Sequence, residues 1–324
     1  MRRKQIVQTC ALLVLIAALA GVVLNRQAIS DWFKLRGYIP PATVAALATD
    51  DTMTSEARHL FYVNHPDVTT GVGFTAHCPS GGEKTVVLGC YIGNDHGIYL
   101  YNITDSRLNG VEQVTAAHET LHAAYERMSA AERTTINAEL LDYYNHDLTD
   151  QRIKDTIAEY KKSEPKDVVN EMHSIFGTEV ANLPAPLETY YRRYFTDRSK
   201  LTTYVATYQA EFTSRSAAIA RYDAQLKGLK QQIDTNQAAL AQQKTALDAQ
   251  SQRLSAQRKS NDIAGYNAGV SSYNAAVNSY NNLLETTKGL IAQYNDTVSS
   301  RNAIAIEEQE LTRALSADSL TTAQ

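Results

Sequence analysis

The chain carries no basic excess: 31 Lys and Arg stand against 35 Asp and Glu, a net charge of −4. Nucleic-acid surfaces need clustered positive charge, so nucleic acid is excluded as a partner. Only three cysteines occur, none in a CxxC pair, and their spacing matches no common zinc pattern. A lipoprotein signal is missing, because Val7-Gln8-Thr9 is the wrong context before Cys10. Proline is absent beyond Lys200, which removes the strongest helix breaker from the last third of the chain. What is present is 324 residues, 44% of them hydrophobic, enough for two structural units.

Met1-Arg2-Arg3-Lys4 precedes an apolar stretch over residues 6–24, broken only by Gln8 and Thr9. Positive charge followed by an apolar run predicts an export signal or a membrane anchor. Ala18-Leu19-Ala20 before Gly21 resembles a signal-peptidase site. Against cleavage, the stretch nearly reaches the ~20 residues that span a bilayer, and Trp32 and Phe33 stand where an interfacial anchor fits. The favoured expectation is a single-pass transmembrane helix over residues 1–24 in the cell membrane. Its N-terminus would be cytoplasmic and the rest of the chain extracytoplasmic; cleavage would instead release a secreted protein. Residues 25–57, with Pro40-Pro41, read as a linker.

Cys10 reads as a small apolar residue. Cys78 and Cys90 flank Pro79-Ser80-Gly81-Gly82. In an exported region an oxidising compartment predicts a disulfide between them, with a metal pair as the alternative.

Residues 58–198 hold all the histidines and most of the glycines, and read as one compact α+β domain. Two β-rich runs, 86–92 and 98–103, enclose Gly93-Asn94-Asp95-His96-Gly97 and predict a hairpin. Helices are expected over 110–127 and 130–145, and from Pro165 towards Gly177 with Ser163 as a cap.

Beyond Lys200 the pattern changes to heptads. Val205, Phe212, Ile219, Leu226, Ile233, Leu240, Leu247 and Leu254 are spaced seven apart, the mark of a coiled-coil helix. The companion row starts apolar at Leu201, Tyr208, Tyr222 and Leu229, then turns polar at Asn236, Gln243 and Gln250. A second series combines Val270, Val277, Leu284, Ile291 and Val298 with Tyr266, Tyr273, Tyr280 and Tyr294, Thr287 being the gap. Each of those tyrosines precedes an asparagine. Turn formers gather at 259–265, so an antiparallel helical hairpin is predicted over 199–316. A continuous helix that dimerises is the alternative. Residues 317–324 are expected to fray. The hairpin carries no readable chemistry; self-association or an envelope partner are its candidate roles.

The chemistry sits in His118-Glu119-Thr120-Leu121-His122. On a helix, positions i and i+4 share a face, so both imidazoles can grip one metal ion while the glutamate polarises a water beside it. Val114, Ala117, Leu121 and Ala124 give that helix an apolar face. The bland alternative is a helix whose histidines make ordinary hydrogen bonds. A catalytic zinc takes three protein ligands and keeps one position open. Downstream candidates for the third are His146, Glu171, His173 and Glu179. The extended metzincin pattern is absent, since Ala123 to Met128 supply neither its glycine nor its third histidine.

The segment Asn170-Glu171-Met172-His173-Ser174 has the form NExxS. HExxH followed by a helix bearing NExxS resembles the gluzincin metallopeptidases, the thermolysin-like clan. The resemblance covers about fifteen residues and implies His118, His122 and Glu171 as zinc ligands, with Glu119 as general base. Ile175 stands where that pattern carries an aspartate that orients a zinc-bound histidine, so that role is unassigned, with His173 as one candidate. A three-histidine site using His146 is the runner-up. The run 98–103, upstream of the motif, suits a substrate-binding edge strand. His173, Tyr190 and Tyr191 are candidate oxyanion donors. The bland reading of the segment 187–195 around the two tyrosines is core packing.

These features lead to an expectation of a membrane-anchored extracytoplasmic zinc metallopeptidase acting on a peptide or protein substrate. The competing expectation is a structural envelope protein, in which the coiled coil acts and the metal domain is not catalytic.

Overall fold

The computed structural model describes residues 2–78 and 87–315, the side chains of 2–11 and 14 aside. Three expectations therefore lie outside the described residues: the turn at residues 79–82, the environment of Cys10 and the fraying of 317–324. The chain forms two compact units: Ala210–Leu311, and the residues up to Gln209 together with those from Thr312 onward.

The first unit opens with α1 (Arg2–Leu24), α2 (Arg26–Leu35), α3 (Ala42–Asp50) and α4 (Ser55–Val63). Then come β1 (Asp67–Thr69), α5 (Gly71–Thr75), β2 (Gly89–Ile92) and β3 (Gly97–Tyr101). It continues through α6 (Val111–Glu126), α7 (Ala130–His146), α8 (Gln151–Ser163), α9 (Val168–Glu179) and α10 (Ala185–Tyr191).

The expected α+β class is corrected here: the structure is 77% helical, and the only sheet among the described residues has three strands. The β-rich runs shrink to strands of four and five residues. Most of the core is helical instead, with α9 buried along nearly its whole length against α6. Gly177 permits that contact, since a Cβ there would stand 2.4 Å from Leu121 and 2.6 Å from Tyr191.

The expected transmembrane helix is corrected too. Among the described residues no helix is long and apolar enough to cross a membrane. The single-pass localisation and the anchoring role of Trp32 and Phe33 fall with it.

Nor are residues 25–57 a linker. Val44, Leu47, Ala48 and Met53 belong to the main core. Asp31 of α2 is buried and accepts two hydrogen bonds from Arg127, at the end of α6, at 2.8 and 2.9 Å, and contacts His59 at 2.7 Å. Ser163 is the last residue of α8, a helix not anticipated, rather than the cap of α9, which follows Asp167. Caps form at Thr54, Ser129, Asp150 and Asp262 among others, each accepting from a first-turn N–H.

In the sheet the strand order is β1-β3-β2, with β1 parallel and β2 antiparallel to β3. The predicted hairpin is thus present, turning through Asn94 and Asp95 with φ of 58° and 56°, a conformation those residues tolerate. Yet 98–101 is the middle strand, covered on both sides, and not an edge. Among the described residues the edge strand near α6 is β2.

The second unit lies within α11 (Ser199–Lys259) and α12 (Ile263–Ala314), two helices joined at 260–262. They run antiparallel, as Ser216–Glu308 (2.9 Å) and Asp223–Arg301 (3.0 Å) show. The α11 seam follows the predicted heptads, with Leu229 and Ile233 buried. On α12 the expected rows Tyr266 to Tyr294 and Val270 to Val298 are likewise the more covered positions, with Thr287 buried in the tyrosine row; Ile291, 38% exposed, departs from the pattern.

Candidate metal centre

The helix α6 begins at Gly110, whose φ of 99° only glycine adopts comfortably. Four residues apart on α6, His118 and His122 turn to the same face, and α9 packs there with Glu171. Nε2 of His118 lies 3.5 Å from Oε2 of Glu171, and Nε2 of His122 lies 3.4 Å from Oε1. All three ligand atoms fall within 4.8 Å of one another. Those separations are too long for ordinary hydrogen bonds. They match donors about 3.3–3.6 Å apart, the spacing that bonds of 2.0–2.2 Å make around a tetrahedral ion. Oε2 of Glu171 is also buried without a hydrogen-bond partner, a costly state for a carboxylate oxygen unless a cation takes it. The donor set therefore fits a divalent metal.

Second contacts orient the ligands. Nδ1 of His122 hydrogen-bonds Oδ1 of Asn170 at 3.0 Å. Asn170 thus supplies for His122 the kind of support the sequence left unassigned, and its position next to Glu171 in NExxS was the signal that could have found it. Burial pushes the Glu171 carboxyl up, but the imidazoles of His122 and His118 and the hydroxyl of Tyr160 outweigh it and hold it below its ordinary range. Tyr160, half-buried on α8, was not singled out in the sequence.

Glu119 points from the same helix towards β2. Burial raises its carboxyl to about 7, opposed by the charge of His122 and by the backbone N–H of Tyr91, while Glu171 adds to the rise. Tyr101 N–H donates to Leu88 O at 2.8 Å, so antiparallel alternation turns the backbone groups of Gly89 and Tyr91 away from β3. The outer edge of β2 therefore faces Glu119.

Other candidates lie elsewhere. The side chain of His146 is 69% exposed and pairs with Asp142. Glu179 is bound to Arg152 at 2.6 Å. His173 is fully buried, its Nε2 2.9 Å from the Tyr190 hydroxyl, and burial pushes its imidazole well below its usual range. Tyr190 is 7% exposed and also meets Tyr194 at 3.2 Å. Tyr191 is buried and donates to the His173 carbonyl at 2.7 Å. These three form a hydrogen-bonded core beneath the site, so none is placed to meet a substrate oxyanion; the bland reading of 187–195 holds for them. Cys78 and Cys90 form the disulfide, with Cα atoms 5.8 Å apart.

No known protein family, characterised protein or solved structure matches the chain.

Proposed function

We propose that the chain is a zinc-dependent metallopeptidase of the gluzincin type. The observation that carries this reading is the 3.4–3.5 Å spacing of His118, His122 and Glu171 beside a buried glutamate that is not one of the three. A purely structural zinc site has no use for such a base.

His118, His122 and Glu171 hold the ion, and Asn170 fixes the ring of His122. Zinc, when bound, acidifies water to a pKa of roughly 7 and polarises a carbonyl. Glu119 accepts the proton of the attacking water and returns it to the leaving amine. Its burial excludes bulk water and sets its basicity for proton transfer near neutral pH. The outer edge of β2 turns backbone groups away from β3, along which a peptide can add as a further strand. That assigns to β2 the task the sequence suggested for 98–103.

Glu119→Gln tests the reading. The purified chain, loaded with zinc, is expected to cleave unstructured casein, and Glu119→Gln to bind zinc equally while losing at least about 10²-fold in rate, the low end for a missing acid–base group. Equal cleavage by both proteins, or none by either, would refute it.

A further inference from the structure

The strand β2 approaches Glu119 more closely than any residue with a side chain would permit. A Cβ on Gly89 would stand 2.5 Å from Cγ2 of Thr115, 3.0 Å from Oε1 of Glu119 and 3.1 Å from Cγ of Glu119. Gly89 has no left-handed φ, so what matters is its missing side chain and not its backbone freedom. Thr115 cannot readily give way, because its Oγ1 donates to Val111 O at 2.8 Å and fixes its methyl towards Gly89. The strand cannot readily tilt either. Cys90 is bonded to Cys78, and the Asn94 N–H donates to both oxygens of Glu126 at 2.9 and 3.1 Å.

We propose that Gly89 is a positioning residue for the general base: its missing Cβ lets the outer edge of β2 lie on Glu119, where the Tyr91 N–H orients the carboxylate. A peptide added along that edge then presents its scissile carbonyl to an already aimed base. This inference rests on the peptidase reading and concerns placement alone.

The test uses the full zinc-loaded chain, a quenched-fluorescent peptide library as substrate, and metal analysis of each variant. Gly89→Ala is expected to retain zinc and the wild-type KM, while kcat falls about 10²-fold, as for a misplacement of roughly 1 Å. Adding Thr115→Ser, which removes the methyl that the new Cβ meets first, is expected to recover part of that kcat. Wild-type kcat in Gly89→Ala, or no recovery in the double variant, overturns the inference and leaves the peptidase reading standing. Should Gly89→Ala alone fail to fold, the double variant decides: reduced kcat with full zinc supports the proposal, and wild-type kcat refutes it. A wild-type chain that binds zinc and cleaves nothing removes both.

Discussion

Both units bury polar atoms that lack hydrogen-bond partners, and the two sets differ in kind. In the first unit, besides scattered atoms such as both Asp51 oxygens, Glu171 Oε2, His173 Nδ1 and Ser174 Oγ fall on one buried turn of α9. In the second, the Oε1 atoms of Gln243, Gln250 and Gln257 lie seven apart along a half-buried seam. In the first set Glu171 Oε2 lies beside two imidazoles; the second repeats along a line and converges on nothing. Unsatisfied groups clustered around one point mark a site, whereas the same defect spread at the helical period marks weak packing. Metal chemistry should therefore respond only to changes in the first unit, and the hairpin only in its stability.

The largest expected effect tests that division at its centre. Glu171→Ala should weaken zinc binding well beyond the 10–100-fold typical of a residue one shell out, while His146→Ala should leave it unchanged, both read by competition with a chromogenic chelator. The reverse result would replace Glu171 by His146. Asn170→Ala should fall within that 10–100-fold range, because it removes orientation and not a ligand. Leu229→Ala, at a site 6% exposed, should destabilise the hairpin by about 2–3 kcal/mol. Zinc affinity should stay constant, and a change in it would break the comparison. A smaller shift is expected in pH dependence. Glu119 must be ionised to act, so kcat/KM should fall as pH drops through its pKa. Burial together with His122, Glu171 and the Tyr91 N–H places that near 7, and a bound cation lowers it from there. The acid limb should accordingly lie between the ordinary glutamate value of about 4.3 and 7. The smallest effect is on stability. Asp51 is fully buried, both oxygens lack partners, and burial holds its carboxyl well above 3.8. The folded state keeps that proton while the unfolded chain releases it, so stability should decline as pH rises above 3.8. Asp51→Asn should flatten that decline in thermal melts.

Legibility in the sequence followed the range of the interaction. His118 and His122 are one helical turn apart, so local geometry alone put them together. The hairpin was equally legible, because Val205 to Leu254 repeat one spacing through eight positions. Glu171 needed a second motif, and Asn170 went unnoticed because its partner is 48 residues away. The strand order was misjudged for a related reason. β1 is three residues long and pairs with β3 across α5, β2 and the disulfide loop, leaving no periodicity to read. On α12 the tyrosine row marked the seam, and at its gap Thr287 is buried, as is Thr297, with hydroxyls that bond their own backbone at 2.7 and 2.8 Å. Hydroxyls satisfied in that way pass for apolar surface, which composition cannot foresee. Residues 6–24 carried the opposite lesson: an apolar run with flanking charge satisfied a composition rule, yet among the described residues no helix is long and apolar enough to cross a membrane.

The disulfide joins Cys78 to Cys90 across twelve positions in sequence, with Cys90 one residue from Gly89 and from Tyr91. A backbone break anywhere between those cysteines would leave two fragments covalently joined, with Tyr91 still tethered beside Glu119. Such a nicked chain would run as one band without reductant and as two with it, and the tether would survive damage to the loop it closes.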